Sequence, residues 1–148
     1  MKNGIFIIAH APLASALRQC VLHVFPDLGD CVAAFDVQPN VPPEESLAVA
    51  RQALRLLEGQ QCLVLTDMFG ATPSNVAQKL IDGTESKLIA GVNLPMLLRI
   101  VNYSEESMEA LVARALAGGS RGIMQVATTA PQNQVRKNNE QSIDDHQQ

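Results

Sequence analysis

Apolar residues fall along this chain in short unbroken runs separated by segments where they recur every three or four positions. The first run, Ile5-Phe6-Ile7-Ile8-Ala9, has no polar interruption, which marks a strand covered on both faces, as in parallel sheets. Such runs, alternating with helical patterns, predict strands at 4–9, 31–37, 61–66, 87–92 and 122–127 joined as βαβ units. Leu13, Leu17, Val21 and Val24 repeat at helical spacing after Pro12, and Pro26-Asp27-Leu28-Gly29-Asp30 closes that segment. A second helix fits 44–58, opening after Pro42-Pro43 and stopping at Gly59. A third runs to about Ile81, with Thr72 as its N-cap and Pro73 at its first helical position. Asn93 caps a fourth helix through Leu97, Leu98 and Val101, and Tyr103-Ser104-Glu105-Glu106 opens the last. Gly118-Gly119-Ser120-Arg121-Gly122 reads as a helix end and a turn into the fifth strand. The predicted class is α/β, a doubly wound, mostly parallel sheet of order 2-1-3-4 with helices on both faces.

The chain has 148 residues, enough for one domain, here 1–127. From Thr128 onward Gln, Asn and charged residues dominate, so 128–148 is expected to be a polar tail, disordered or only loosely docked. Hydrophobic residues make up 47% of the chain and charged residues 18%, an ordinary balance for a packed domain. The net charge is −4 with scattered Lys and Arg, so there is no basic face for nucleic acid. Cys20, Cys31 and Cys62 lie far apart, without zinc-site spacing, and fit reduced thiols. The amino-terminal stretch lacks a signal-peptide core and is too short to span a bilayer, so a cytoplasmic protein without membrane insertion is expected.

His10 stands where the first strand ends and a helix begins. In open α/β sheets ligands bind at that carboxyl edge, so this histidine is a candidate reactive group; a structural histidine held by a loop hydrogen bond is the other reading. Three strands would end at His10, Asp67 and Asn93 on one edge. With the first and third strands adjacent, His10 and Asp67 flank the crevice where the chain changes direction. A carboxylate on one imidazole nitrogen fixes the tautomer and leaves the other nitrogen free to attack. Asp67 alone fits a turn or capping aspartate equally well. The loop 69–75 adds Gly70, whose backbone allows close approach, Ala71, and the unpaired N–H groups at the next helix start, an anion site. The Thr72 hydroxyl can bind a phosphoryl oxygen or cap the helix, and the two uses compete for one side chain. His23 reads as a structural or surface residue and His146 as a solvated one. No GxxxxGK[ST], GxGxxG or GxSxG segment occurs, and Ala9-His10-Ala11 stands where a phosphoaspartate receiver needs an acidic metal-holding cluster. Ser15 and Ser74 have no second histidine to serve them as hydrolytic nucleophiles.

With these residues in place, the chain resembles the IIA component of the mannose-type family of the bacterial phosphoenolpyruvate:sugar phosphotransferase system, over about residues 1–127. The resemblance rests on Ile7-Ile8-Ala9-His10, on Leu65-Thr66-Asp67-Met68-Phe69-Gly70-Ala71-Thr72-Pro73-Ser74-Asn75, and on Gly91-Val92-Asn93-Leu94-Pro95-Met96-Leu97. It implies a phosphotransferase without ATP, cofactor or metal of its own. His10 would take a phosphoryl group on Nε2 from phospho-HPr and pass it to a IIB component, with Asp67 as hydrogen-bonding partner and Thr72 near the phosphoryl group. It also implies a homodimer exchanging a carboxyl-terminal strand, here Ile123 to Val126. Two other roles stay open: a regulatory module whose phosphorylation state another protein reads, and the phosphotransfer subunit of a dihydroxyacetone kinase. The family often has glycine where this chain has Ala11 and Ala71, so the local turn is expected to differ if either position needs a positive φ.

Overall fold

The computed structural model describes residues 2–128. Four parallel strands, β1 (Asn3–His10), β2 (Val32–Val37), β3 (Gln61–Thr66) and β4 (Ser86–Ala90), form one sheet of order β2-β1-β3-β4. The predicted strand order therefore holds, and the first apolar run lies in the sheet interior. Among the described residues five α-helices surround the sheet: α1 (Leu13–Val24), α2 (Pro43–Leu54), α3 (Thr72–Gln78), α4 (Leu94–Ile100) and α5 (Met108–Arg121).

The period of two along β1 sends its side chains into two separate cores. Ile5, Ile7 and Ala9 pack with α1, α4 and α5, while Phe6 and Ile8 pack with α2 and α3. All five are fully buried, which is why no polar residue interrupts the run. Because α1 covers one face and α3 the other, the chain leaves β1 and β3 toward opposite faces. The crevice between these neighbouring strand ends is the topological switch point.

Several boundaries differ from expectation, each for a local reason. The fifth strand is absent: among the described residues 122–128 lack regular structure, and Ile123, Met124 and Val126 are exposed. The paired glycines belong to α5, which continues to Arg121. They allow close helix contact, since a Cβ on Gly118 would lie 2.8 Å from the Arg99 Cβ, and one on Gly119 would lie 2.8 Å from the Met96 Cε. The last helix opens at Ser107, whose hydroxyl accepts the Ala110 N–H, rather than at Tyr103. The second helix passes into a 3-10 turn at Arg55 before Gly59, where φ is +83°. The third helix ends at Gln78, short of Ile81. Residues 129–148, which hold most of the expected tail and His146, lie outside the described residues.

Candidate functional site

The sheet register brings the strand-end groups together. Ile8 pairs with Thr66, so Asp67 leaves β3 beside the last residues of β1. Its Oδ2 accepts the His10 backbone N–H at 3.1 Å and lies 2.7 Å from the ring Nδ1. Its Oδ1 accepts the Met68 N–H at 2.9 Å. The His10 side chain is 51% exposed and that of Asp67 only 14%, so the carboxylate lies below the ring and the ring reaches solvent.

Partial burial pushes the Asp67 carboxyl upward. Hydrogen bonds from the His10 ring and backbone, the His10 charge and the Met68 N–H outweigh that push and hold the carboxyl below its ordinary range. An ionised carboxylate only accepts hydrogen bonds, so Nδ1 is the donor of this contact, and whenever the ring is neutral its lone pair sits on Nε2.

His10 and Thr72 line one cavity of about 440 Å³, walled by Ala11, Val37, Pro39, Val41 and Pro43. A larger cavity of about 690 Å³ lies beside β2, lined by Ser15, Arg18, Leu56 and Gln60, and His10 is not among its residues. Gly70 has φ +90°, and a Cβ added there would meet open space, so its requirement is conformational. Thr72 is the first residue of α3 rather than its N-cap. The cap position belongs to Ala71, and no side chain makes a capping hydrogen bond there. The reason is backbone geometry: Ala71 has the extended φ −105° and ψ 174° of a cap. The competition expected for the Thr72 hydroxyl therefore does not arise. Neither Ala11 nor Ala71 has a positive φ, so the two alanines impose no strain.

The remaining candidates go elsewhere. Asn93 caps α4 by accepting the Met96 N–H and donates to the Gly119 carbonyl, which commits it to joining α4 and α5. Ser74 is fully buried, and His23 is exposed on α1. Burial pushes the Cys62 thiol up to about 11, which keeps it unreactive. Among the described residues no cluster of His, Cys, Asp or Glu has metal-binding form, and no helix is long and apolar enough to cross a membrane.

Two features escaped the sequence reading. Val37 to Pro43 forms one wall of the His10 cavity, signalled only by a proline-rich loop after β2. Asp36, the one charged residue in β2, holds the start of α1 through Ser15. An acid inside an otherwise apolar strand was the available clue.

A doubly wound α/β domain with a histidine–aspartate pair at its switch point is the class that fold and site define. The family model described as "PTS system fructose IIA component" (EIIA-man) matches residues 4–116. The chain belongs to that family of phosphotransferase-system IIA components. A curated relative, the sorbose-specific EIIA component of Lacticaseibacillus casei, is 26% identical over 117 residues, covering 76% of this chain and 82% of the relative. The solved mannose/sorbose-specific IIA subunit from Enterococcus faecalis aligns with a TM-score of 0.77 at 22% identity, over 88% of this chain and 98% of that one. A IIA protein associated with the fucose utilization operon of Streptococcus pneumoniae aligns with a TM-score of 0.72 at 19% identity, over 91% and 97%. At these identities the two structures speak for the fold.

Proposed function

We propose that this chain is a cytoplasmic phosphocarrier that accepts a phosphoryl group from phospho-HPr on Nε2 of His10 and passes it to a IIB component. The observation that carries this reading is the 2.7 Å contact of Nδ1 with Asp67 beneath a half-exposed ring. The Nε2 lone pair forms a bond to phosphorus as the donor's phosphorus–nitrogen bond breaks, and that bonding pair returns to the donor ring. Nδ1 keeps its proton, so positive charge grows on the His10 ring and the Asp67 carboxylate offsets it. The backbone of Gly70 and Ala71 and the Thr72 hydroxyl receive the phosphoryl oxygens. Phosphoryl transfer asks mainly for positioning and charge stabilisation, which these groups can supply without a metal. Family membership is what brings HPr and IIB into the reading.

Incubation with phosphoenolpyruvate, enzyme I and HPr tests it. An acid-labile, base-stable phosphate is expected on the wild type and not on His10→Ala. Equal labelling of the two proteins would end the assignment, and failure of every IIB component to discharge the labelled protein would end the carrier role.

A homodimer belongs to the same proposal. β4 is an edge strand, and the exposed Ile123, Met124 and Val126 follow α5 as a segment with no strand partner among the described residues of its own chain. Pairing of Ile123–Val126 with a second copy's sheet would cover both. Light scattering should give a dimer for the whole chain and a monomer for one ending at Gly122; a monomer in both refutes the exchange.

A further inference from the structure

The connection from β1 to α1 is strapped on both sides, and only one strap involves the proposed phosphoryl acceptor directly. On the β3 side, Asp67 takes the His10 N–H and Nδ1. On the β2 side, Asp36 takes two hydrogen bonds from Ser15: the backbone N–H to Oδ1 at 3.0 Å and the hydroxyl to Oδ2 at 2.5 Å. Asp36 is the register partner of Ala9, while Asp67 follows Thr66, the partner of Ile8. The two carboxylates thus meet the end of β1 from its two neighbouring strands. Between them, Ala11 donates its N–H to the Val37 carbonyl at 3.0 Å, and the Ser15 hydroxyl also reaches the Pro12 carbonyl at 3.3 Å.

We infer that Ser15 and Asp36 are positioning residues for His10: their paired hydrogen bonds fix the start of α1 against β2, which holds the His10–Pro12 turn so that the ring stays seated on Asp67. Only Ala11 and Pro12 separate His10 from the first residue of α1. A shift of that helix start therefore passes into the His10 backbone within two residues. The His10 N–H and Nδ1 share one acceptor oxygen, so a small backbone displacement lengthens both bonds together. Ser15 uses its N–H and hydroxyl on separate oxygens of Asp36, which fixes direction as well as distance. Ser15 is absent from the lining of the cavity that holds His10 and Thr72 and acts only through the backbone between them.

This inference rests on the phosphocarrier reading. In single-turnover transfer from phospho-HPr, Ser15→Ala should lower the maximal rate about tenfold with donor KM within about twofold, because misplacement of a reacting group by a fraction of an ångström costs rate rather than binding. Ser15→Thr, which keeps N–H and hydroxyl, should restore the rate to within about twofold of wild type. In an Asp67→Asn background, Ser15→Ala should cost less than about threefold, since the seat it protects is already weakened. Nitrogen-15 spectra of the His10 ring need no donor, and should show a smaller Nδ1–H tautomer fraction in Ser15→Ala than in wild type. Asp36→Ala, which removes both acceptor oxygens, should reproduce the Ser15→Ala changes. Additive losses, a Ser15→Thr protein as slow as Ser15→Ala, or an unchanged tautomer fraction would each overturn the positioning role while leaving phosphorylation of His10 intact. Failure of the phosphocarrier reading itself would show instead as equal labelling of wild type and His10→Ala.

Discussion

Asp67→Asn is the sharpest test of the proposed chemistry, because it leaves the shape of the site and removes one charge. As a carboxylate, Asp67 accepts on both sides: the His10 N–H and Nδ1–H at Oδ2, and the Met68 N–H at Oδ1. Asparagine has one accepting and one donating end, so it must turn its NH₂ group toward an obligate backbone donor, either His10 or Met68. Turning the oxygen to His10 keeps two bonds and the productive tautomer, at the cost of the Met68 contact. The loss in transfer is then the loss of charge stabilisation. At 2.7 Å and an effective dielectric of about 20, two unit charges attract by about 6 kcal/mol before any discount. The ring is half exposed and its charge is only partly developed in the transition state, so about 2 to 3 kcal/mol is the share at stake. That corresponds to a transfer rate about 30- to 150-fold below wild type, and well short of the ~10⁴ that a reversed tautomer costs in a serine protease triad. Rapid-quench transfer from phospho-HPr measures it, with thermal melting to establish folding. A folded Asp67→Asn protein within about threefold of wild type would refute the reasoning and reduce Asp67 to a turn residue.

Three further outcomes follow from particular contacts. Thr72→Ala should slow transfer about tenfold, equivalent to about 1.4 kcal/mol for a hydrogen bond to a charged oxygen, yet change folding stability by less than about 0.5 kcal/mol because the hydroxyl caps nothing; a large melting shift would contradict this. Gly122→Ala should destabilise the domain by about 1 to 3 kcal/mol in urea unfolding, since its Cβ would lie 2.4 Å from the rigid Pro95 ring. Asp82 is held at about 2 by the Thr84 and Ser86 N–H groups first, against a desolvation push, with further help from the Glu85 N–H and the Ser86 hydroxyl. A depressed folded-state value stabilises above the unfolded pKa and is lost on acidification, so the stability gap between wild type and Asp82→Asn should be constant near neutrality and close between about pH 4 and 2; a gap indifferent to pH in that window would exclude this origin.

What the sequence made legible depended on whether a feature was decided inside the chain's own runs. β1 was visible because burial on both faces demands an uninterrupted apolar stretch, and Ile5 to Ala9 supplies one. The His10–Asp67 pair followed once β1 and β3 were placed side by side, since register then fixes which strand ends meet. The segment after Gly122 has the composition of a strand, but a strand exists only where an edge pairs with it, and among the described residues it pairs with neither edge of its own sheet. Gly118 and Gly119 looked like a turn because their use lies across space, in the approach of Arg99 and Met96. The Thr72-Pro73 pair carried the right cap chemistry one residue late, because Ala71 has the extended backbone that a cap requires. Ser15 in α1 and Asp36 in β2 stand 21 residues apart, and nothing in either neighbourhood announces the other.

The charge distribution bears on why such a site would carry a phosphoryl group rather than keep it. No Lys or Arg occurs in 10–17, 37–46, 67–78 or 90–98, the segments that follow the four strands at the carboxyl edge. Arg99 and Arg121 line a separate surface with Pro95 and Gly118. A phosphoryl group on His10 would therefore be held among the described residues by N–H dipoles, a hydroxyl and the covalent bond itself, without a fixed cation. Tight ground-state binding would deepen the energy well from which onward transfer must climb, whereas stabilisation of the ring charge by Asp67 acts as the nitrogen–phosphorus bond forms and breaks. A half-exposed ring also lets donor and acceptor reach the same nitrogen in turn. An arginine introduced at Gln38, in the wall of the His10 cavity, would by the same argument slow discharge to the acceptor more than it speeds loading.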